Sequence, residues 1–287
     1  VADFTVYGDS EESIGDHATA GDQALTGPQP PGPSFFDLIT IIGDAELLED
    51  HATGGSDSIQ GVIFGNSTLL IGDARQMKDH AQGGDDLISG NFGFWNTIYG
   101  DAEEMSDHTR GGNDTVAASA PQGTRVTADS EVFGDARILS GHAEGGDDEL
   151  LGAVGFAGST ARLYGDGFEL QDHAKGGDDR LVSRSANADE MWGDAYTVGK
   201  HAETGADVFV FAPGNGRDII HDFESGKDRI DLTAFAGSGI DDFEDVMARI
   251  QVQPDGTLVI LDVDGLTGNS IVVAGVHSLT AEDFILA

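Results

Sequence analysis

The stretch Gly72–Asp86, GDARQMKDHAQGGDD, sets a Gly-Asp pair, a lone histidine and a Gly-Gly-Asp-Asp turn within fifteen residues. Near-copies begin at Gly43, Gly100, Gly134 and Gly165, and Gly-Asp pairs recur at Gly8, Gly43, Gly72, Gly100, Gly134, Gly165 and Gly193, in steps of 28 to 35 residues. Self-similarity at such a period marks a solenoid, in which no repeat buries its apolar residues until neighbours stack on it. In six of the seven copies a histidine follows the Gly-Asp aspartate by seven residues, and a further Asp follows after six more. The length variation falls between the Asp-rich turn and the next Gly-Asp pair, as in SGNFGFWNTIY, and reads as insertions on one side of each coil.

The residues around the turns predict very short strands. An apolar pair precedes each Gly-Asp: VY, II, LI, IY, VF, LY and MW. One residue after each second Asp comes Ile59, Ile88, Val116, Leu150, Leu181 or Phe209. Turn, one or two apolar residues, turn is a strand pattern too short for helices. A single such strand is not stable alone, so stacking must supply the fold.

Composition narrows the partners. The 287 residues carry 14 Lys+Arg against 52 Asp+Glu, a net charge of -38, and the compact state must overcome that repulsion unless cations neutralise it. The same charge argues against nucleic acid and anionic membrane surfaces as partners and leaves basic partners open. With 42 glycines and no cysteine, the chain is neither collagen-like nor held by disulfides or thiolate metal sites. No apolar run is long enough for a membrane span, and the first residues, VADFTVYGDS, lack the basic start and apolar stretch of a cleavable signal.

A hard dication such as calcium takes six to eight oxygens from carboxylates, carbonyls and water. Glycine-rich turns ending in Asp supply both protein kinds, and stacked coils can share each ion. The candidate ligands are the sixth-place aspartates Asp57, Asp86, Asp114, Asp148, Asp179 and Asp207 and the turn glycines Gly55, Gly84, Gly112, Gly146 and Gly177. To these we add the Gly-Asp aspartates Asp44, Asp73, Asp101, Asp135, Asp166 and Asp194, and Asp218 of the turn-like GNGRDI. Asp85, Asp147 and Asp178 read as solvated, because other copies place Ser56, Asn113 or Ala206 there.

These residues resemble the RTX, or haemolysin-type, calcium-binding nonapeptide G-G-x-G-x-D-x-U-x, with U a large apolar residue. In TRGGNDTVA, residues 109 to 117, Gly112, Asp114 and Val116 take the fourth, sixth and eighth places. The nine residues before that block keep the phase without the chemistry, carrying Leu48, Met77, Met105, Leu139, Leu170 or Val198 in the sixth place. This departure implies fewer ion sites than an unbroken array would hold. Residues 204 to 235, TGADVFVFAPGNGRDIIHDFESGKDRIDLTAF, are similar to the segment that follows RTX repeats in proteins exported by type I secretion. The terminal Asp283–Ala287 resembles that family's uncleaved secretion signal. The resemblance implies an all-β chain, a right-handed parallel β-roll or β-helix over residues 1 to 204 with a β-rich cap over 205 to 287. It also implies several calcium ions, type I secretion machinery as a partner and a secreted bacterial location.

The recurring histidines, His17, His51, His80, His108, His142, His173 and His201, read as a structural ladder in preference to a zinc or copper column. His-Glu-x-x-His, Gly-x-Ser-x-Gly and phosphate-loop motifs are all missing, so no catalytic constellation marks the chain as an enzyme. Two alternatives stay open: the C-terminal calcium-binding and secretion module of a larger exported hydrolase or epimerase, and an adhesion or surface-layer module. In the last case Phe92, Phe94, Trp95 and Phe156 of the insertions would face a glycan, although packing against a neighbouring loop is the plainer use of such residues.

Overall fold

The computed structural model describes residues 3–27, 38–61, 67–90, 95–118, 129–154, 159–184, 186–261 and 268–287. Its strands form three sheets of eleven, seven and nine members, here sheets I, II and III. Each coil contributes one short strand to each sheet, as in Trp95–Tyr99, Ala102–Met105 and Thr115–Ala117. Equivalent strands of successive coils pair in parallel and in register, Tyr99 with Phe133 and Val116 with Leu150. A fourth side is narrower: single-residue bridges run Thr53, Gln82, Arg110, Glu144, Lys175, Glu203. The chain is the expected parallel β-solenoid.

The apolar residues form separate lobes. Between sheets I and III lie Ile41, Ile59, Leu70, Ile88, Ile98, Val116 and their successors, all buried. Between sheet II and the bridge side lie Leu48, Met77, Met105, Leu139 and Leu170, packed on Ala52, Ala81, Ala143 and Ala174. This smaller lobe explains two sequence features. The residues that depart from the RTX sixth place line its wall, and the small residue after each histidine fits its narrow floor. Val198 differs, being 41 % exposed in the last sheet II strand. Outside the bend between sheets I and II a third column stacks Tyr99, Phe133, Tyr164 and Trp192, with ring centroids 4.6–5.0 Å apart.

Sheets I and III continue past residue 204 through Arg217–Ile220 and Arg229–Asp231, and the end of the chain closes both. Ser270–Val273 joins sheet I in parallel, and a hairpin, Ile250–Val252 with Leu258–Leu261, extends it antiparallel. One short helix, Phe243–Met247, lies before the hairpin, its start capped by Asp242 accepting from the Asp245 N–H. The terminal strand Phe284–Ile285 pairs with Arg229–Asp231, and buried Asp283 pins it by accepting from the Gly226 N–H and the Ser225 hydroxyl. Among the described residues no helix is long and apolar enough to cross a membrane.

Candidate metal centre

The two lobes meet at a waist. In each coil the chain leaves the large lobe through the Gly-Asp turn, runs round the small lobe, and returns through the Gly-Gly-x-Asp turn. Where the two turns meet, the first carboxylate accepts a hydrogen bond from the second turn: Asp101 from Gly112 N at 2.7 Å, Asp135 from Gly146 N at 2.7 Å, Asp166 from Gly177 N at 2.6 Å. The second carboxylate binds one coil back. Asp114 Oδ1 accepts from Asp86 N at 2.7 Å and Asp148 Oδ1 from Asp114 N at 2.7 Å. Two columns of aspartates therefore run through the protein, Asp44, Asp73, Asp101, Asp135, Asp166, Asp194 and Asp57, Asp86, Asp114, Asp148, Asp179, Asp207, none more than 3 % exposed.

Their second oxygens are left over. Oδ2 of Asp57, Asp86, Asp114, Asp148, Asp179 and Asp207 is buried without a hydrogen-bond partner, as are Asp44 Oδ1 and the Oδ2 atoms of Asp101, Asp135 and Asp166. A buried, unpaired polar oxygen costs roughly 1–3 kcal/mol, and a charged one more. No ion pair reaches them: among the described residues every salt bridge uses other carboxylates, mostly glutamates such as Glu46 and Glu103 with Arg75, and Lys227, paired with Glu224, is near enough to lower Asp194 at the end of its column. Burial pushes these aspartates up from the usual carboxylate range, and the neighbouring carboxylates push most of them further. Asp44 reaches about 7, Asp57 about 6 and Asp207 about 9, while Asp73, Asp86, Asp114, Asp135, Asp148, Asp166 and Asp179 are also raised well above normal.

Glycine keeps the waist open. A Cβ on Gly111 would collide with carboxylate oxygens of both Asp101 and Asp135, and one on Gly112 with the Gly84 carbonyl of the preceding coil. The donor set is thus carboxylate and carbonyl oxygen, with no sulfur or nitrogen, which suits calcium and not zinc. Among the described residues no three His, Cys, Asp or Glu side chains gather round one point, so side chains alone do not complete a shell. Carbonyls and water must supply the balance, as calcium sites allow. Asp101, Asp114, Asp135 and Asp148, with the carbonyls of Gly84 and Gly112, are the groups that would hold ions in mid-array.

All twelve waist aspartates and Gly55, Gly84, Gly112, Gly146 and Gly177 come together, whereas Asp218 faces the interior from a sheet I strand at a different corner. Asp222 and Asp228 stand at the C-terminal end of the two columns instead, accepting from Gly193 N and Asp207 N. Both left a signal in the sequence: Ile219-Ile220-His221-Asp222 repeats apolar-apolar-Gly-Asp with His for Gly, and Asp228-x-Ile230 repeats Asp-x-apolar. His221 stacks on Trp192 at 4.0 Å, continuing the aromatic column. At the other end Gln23 replaces the second aspartate, its N–H donating to Asp57 Oδ1.

The histidines form the expected ladder. Seven exposed rings follow one another at centroid distances of 4.5–5.4 Å. Each sits just after a residue of a tight turn, often an Asp with positive φ such as Asp79 or Asp107. Asp85, Asp147 and Asp178 are exposed and link successive turns, Asp178 N donating to Asp147 Oδ1. Of the insertion aromatics, Trp95 is 38 % exposed, and Phe92, Phe94 and Phe156 lie outside the described residues.

No curated protein matches the chain in a sequence comparison. The model of the family described as Peptidase M10 serralysin C terminal matches residues 105–286, well over half of the chain. The match spans the last coils of both aspartate columns, the Asp222 and Asp228 ends and the closing strands. The chain therefore belongs to the serralysin C-terminal family, whose RTX-type β-roll domains bind calcium.

Proposed function

We propose that the chain is a calcium-dependent folding module of a secreted bacterial protein: loose where calcium is scarce, and closed into the solenoid outside the cell. One observation carries this reading. Among the described residues the waist holds two columns of buried carboxylates, with an unpaired oxygen on most of them and no salt bridge to any of them. Bound calcium would neutralise the columns and supply the attraction between coils that the bare carboxylates oppose. A ligand that binds only the folded state stabilises it by RT ln(1 + [L]/Kd) per independent site, so several sites make folding steeply dependent on calcium. Extracellular calcium modules work at about 0.1–1 mM.

The chain itself is proposed to be non-catalytic. A family described as the C-terminal part of a peptidase favours the version in which this module folds and exports a catalytic domain, with type I secretion machinery as its partner. Far-UV circular dichroism of the chelator-treated chain, titrated with calcium, magnesium and zinc, tests the proposal. A cooperative gain of β signal near millimolar calcium, missing with magnesium, is the expected result. A β signal already complete in chelator, or gained with zinc alone, would refute it.

A further inference from the structure

A second polar column lies inside sheet I, away from the waist. The paired positions run Thr68, Asn96, Ser130, Ala161, Asp189, Asp218 from coil to coil. In the earlier coils the column is neutral and its groups satisfy one another: the Thr68 hydroxyl donates to Asn96 at 2.7 Å, Asn96 Nδ2 to Ser130 at 3.1 Å, and the Ser130 hydroxyl to the Ala118 carbonyl at 3.1 Å. In the last two coils it turns to carboxylates, Asp189 and Asp218, each wholly buried.

The new charges are incompletely paired. Asp189 accepts from Ala161 N at 3.3 Å and from the Ala153 N–H, and Asp218 accepts from Asp189 N at 2.9 Å, from Asn215 Nδ2 at 3.0 Å and from the Ser183 hydroxyl. Asp189 Oδ2 has no hydrogen-bond partner, and neither has Asn215 Oδ1, on a residue only 2 % exposed. Gly152 leaves room beside Asp189 Oδ2: a Cβ there would collide with that oxygen and would lie 3.1 Å from the Val182 carbonyl. The half-buried Arg184 is near enough to lower Asp189 and to be raised by it, partly offsetting the charge without a salt bridge to either carboxylate among the described residues.

Two adjacent buried carboxylates, an amide oxygen without a donor and a carbonyl beside an open glycine make an all-oxygen donor set, which suits a hard dication. We infer that Asp189, Asp218 and Asn215 hold one calcium-class ion at the corner where sheet III leads into sheet I, independent of the waist columns. The ion would lock the last full coil to the closing strands, since Asp189 and Asp218 belong to successive coils.

The test counts bound ions by equilibrium dialysis with radioactive calcium on the full chain, native and D189N. Asn is isosteric and keeps the acceptor for Ala161 N. Native protein is expected to bind one ion more than D189N, and D114N at the waist to keep the corner ion. The corner's own readout is hydrogen exchange at residues 152–154, 187–189 and 215–218, which calcium should slow in D114N and not in D189N. Equal ion counts for native and D189N would overturn the inference and leave the waist reading intact. No calcium bound by the native chain would overturn both. Should D189N fail to fold, crystals of the native protein soaked in terbium decide: an anomalous peak between Asp189 and Asn215 supports the site, and a peak at the waist alone overturns it.

Discussion

Replacing Asp114 by Asn should act with opposite sign in chelator and in calcium. Asp114 is 2 % exposed, Oδ1 accepts from Asp86 N, and Oδ2 has no partner. Asn keeps the acceptor and removes the charge. Without calcium the native carboxylate is disfavoured by burial first and by Asp101, Asp148 and Asp86 next, so the variant folds at least as well as native at pH 8. In calcium the variant loses at least one ion ligand. At about a hundredfold excess over Kd a site contributes about 2.7 kcal/mol. With a urea slope of about 2–3 kcal/mol/M, losing one ion lowers the unfolding midpoint by about 1 M. The assay is urea unfolding in about 10 mM calcium, read by fluorescence of Trp192, which is buried in the aromatic column, alongside circular dichroism in chelator. Asp85→Asn, at an exposed position, is the control and should stay within about 0.5 kcal/mol of native in calcium. Equal shifts for the two variants, or Asp114→Asn less folded than native in chelator, would refute the reasoning.

The pH response should also depend on calcium. Because the waist aspartates titrate higher in the fold than the ordinary value near 3.8, the metal-free fold takes up protons and is favoured in acid. That stability is present below about pH 4 and is lost as pH rises through the range of about 6 to 7 set by Asp57, Asp101 and Asp44; chelator-treated protein should gain β signal from pH 8 to pH 5, and a loss over that range would contradict the columns' burial. Asp283 has the opposite sign: burial opposes its ionisation, but hydrogen bonds from Thr280 N, Gly226 N and the Ser225 and Thr280 hydroxyls outweigh burial and lower its pKa. Its contribution is complete above the unfolded value and is lost as pH falls below it, and Asp283→Ala should expose Phe284–Ile285 to exchange at roughly 1–3 kcal/mol per unpaired N–H, which hydrogen exchange in calcium can check. Met105→Ala empties part of the small lobe and should cost about 2–5 kcal/mol in calcium by urea unfolding; a loss under 1 kcal/mol would mean that the lobe is not packed as described.

Much of this was legible because the repeat puts each residue type in one environment. Asp57 and its equivalents are followed by one residue and then an apolar one, so the strand position, the turn and the buried carboxylate all follow from one register. Leu48, Met77 and Met105 looked like a loss of calcium chemistry, and the structure gives them a positive use as the wall of a second lobe. Asp218 shows how a local pattern misleads: its Gly-x-Gly-x-Asp spacing resembles a turn, but it precedes the apolar pair Ile219-Ile220 instead of following one, which places it on the strand. Asp222 follows that pair and takes the waist position. Asp189 was hidden by alternation, because ADEMW reads as a strand whose polar residues face water, whereas Asp189 faces the interior and Glu190 the outside. Which lobe a residue lines depends on the bend at the Gly-Asp turn, and that bend is fixed by stacking between coils more than by local propensity.

The central claim is that neutralising the aspartate columns closes the chain, and small-angle X-ray scattering with and without calcium at pH 8 tests it most directly. A folded chain of this length has a radius of gyration of about 19 Å by the usual scaling, somewhat more for an elongated solenoid, and an unfolded one about 60 Å. The account predicts an expanded chain in chelator that collapses cooperatively to about 20–25 Å near millimolar calcium. A chain equally compact in chelator, with a scattering curve that calcium leaves unchanged, would contradict it.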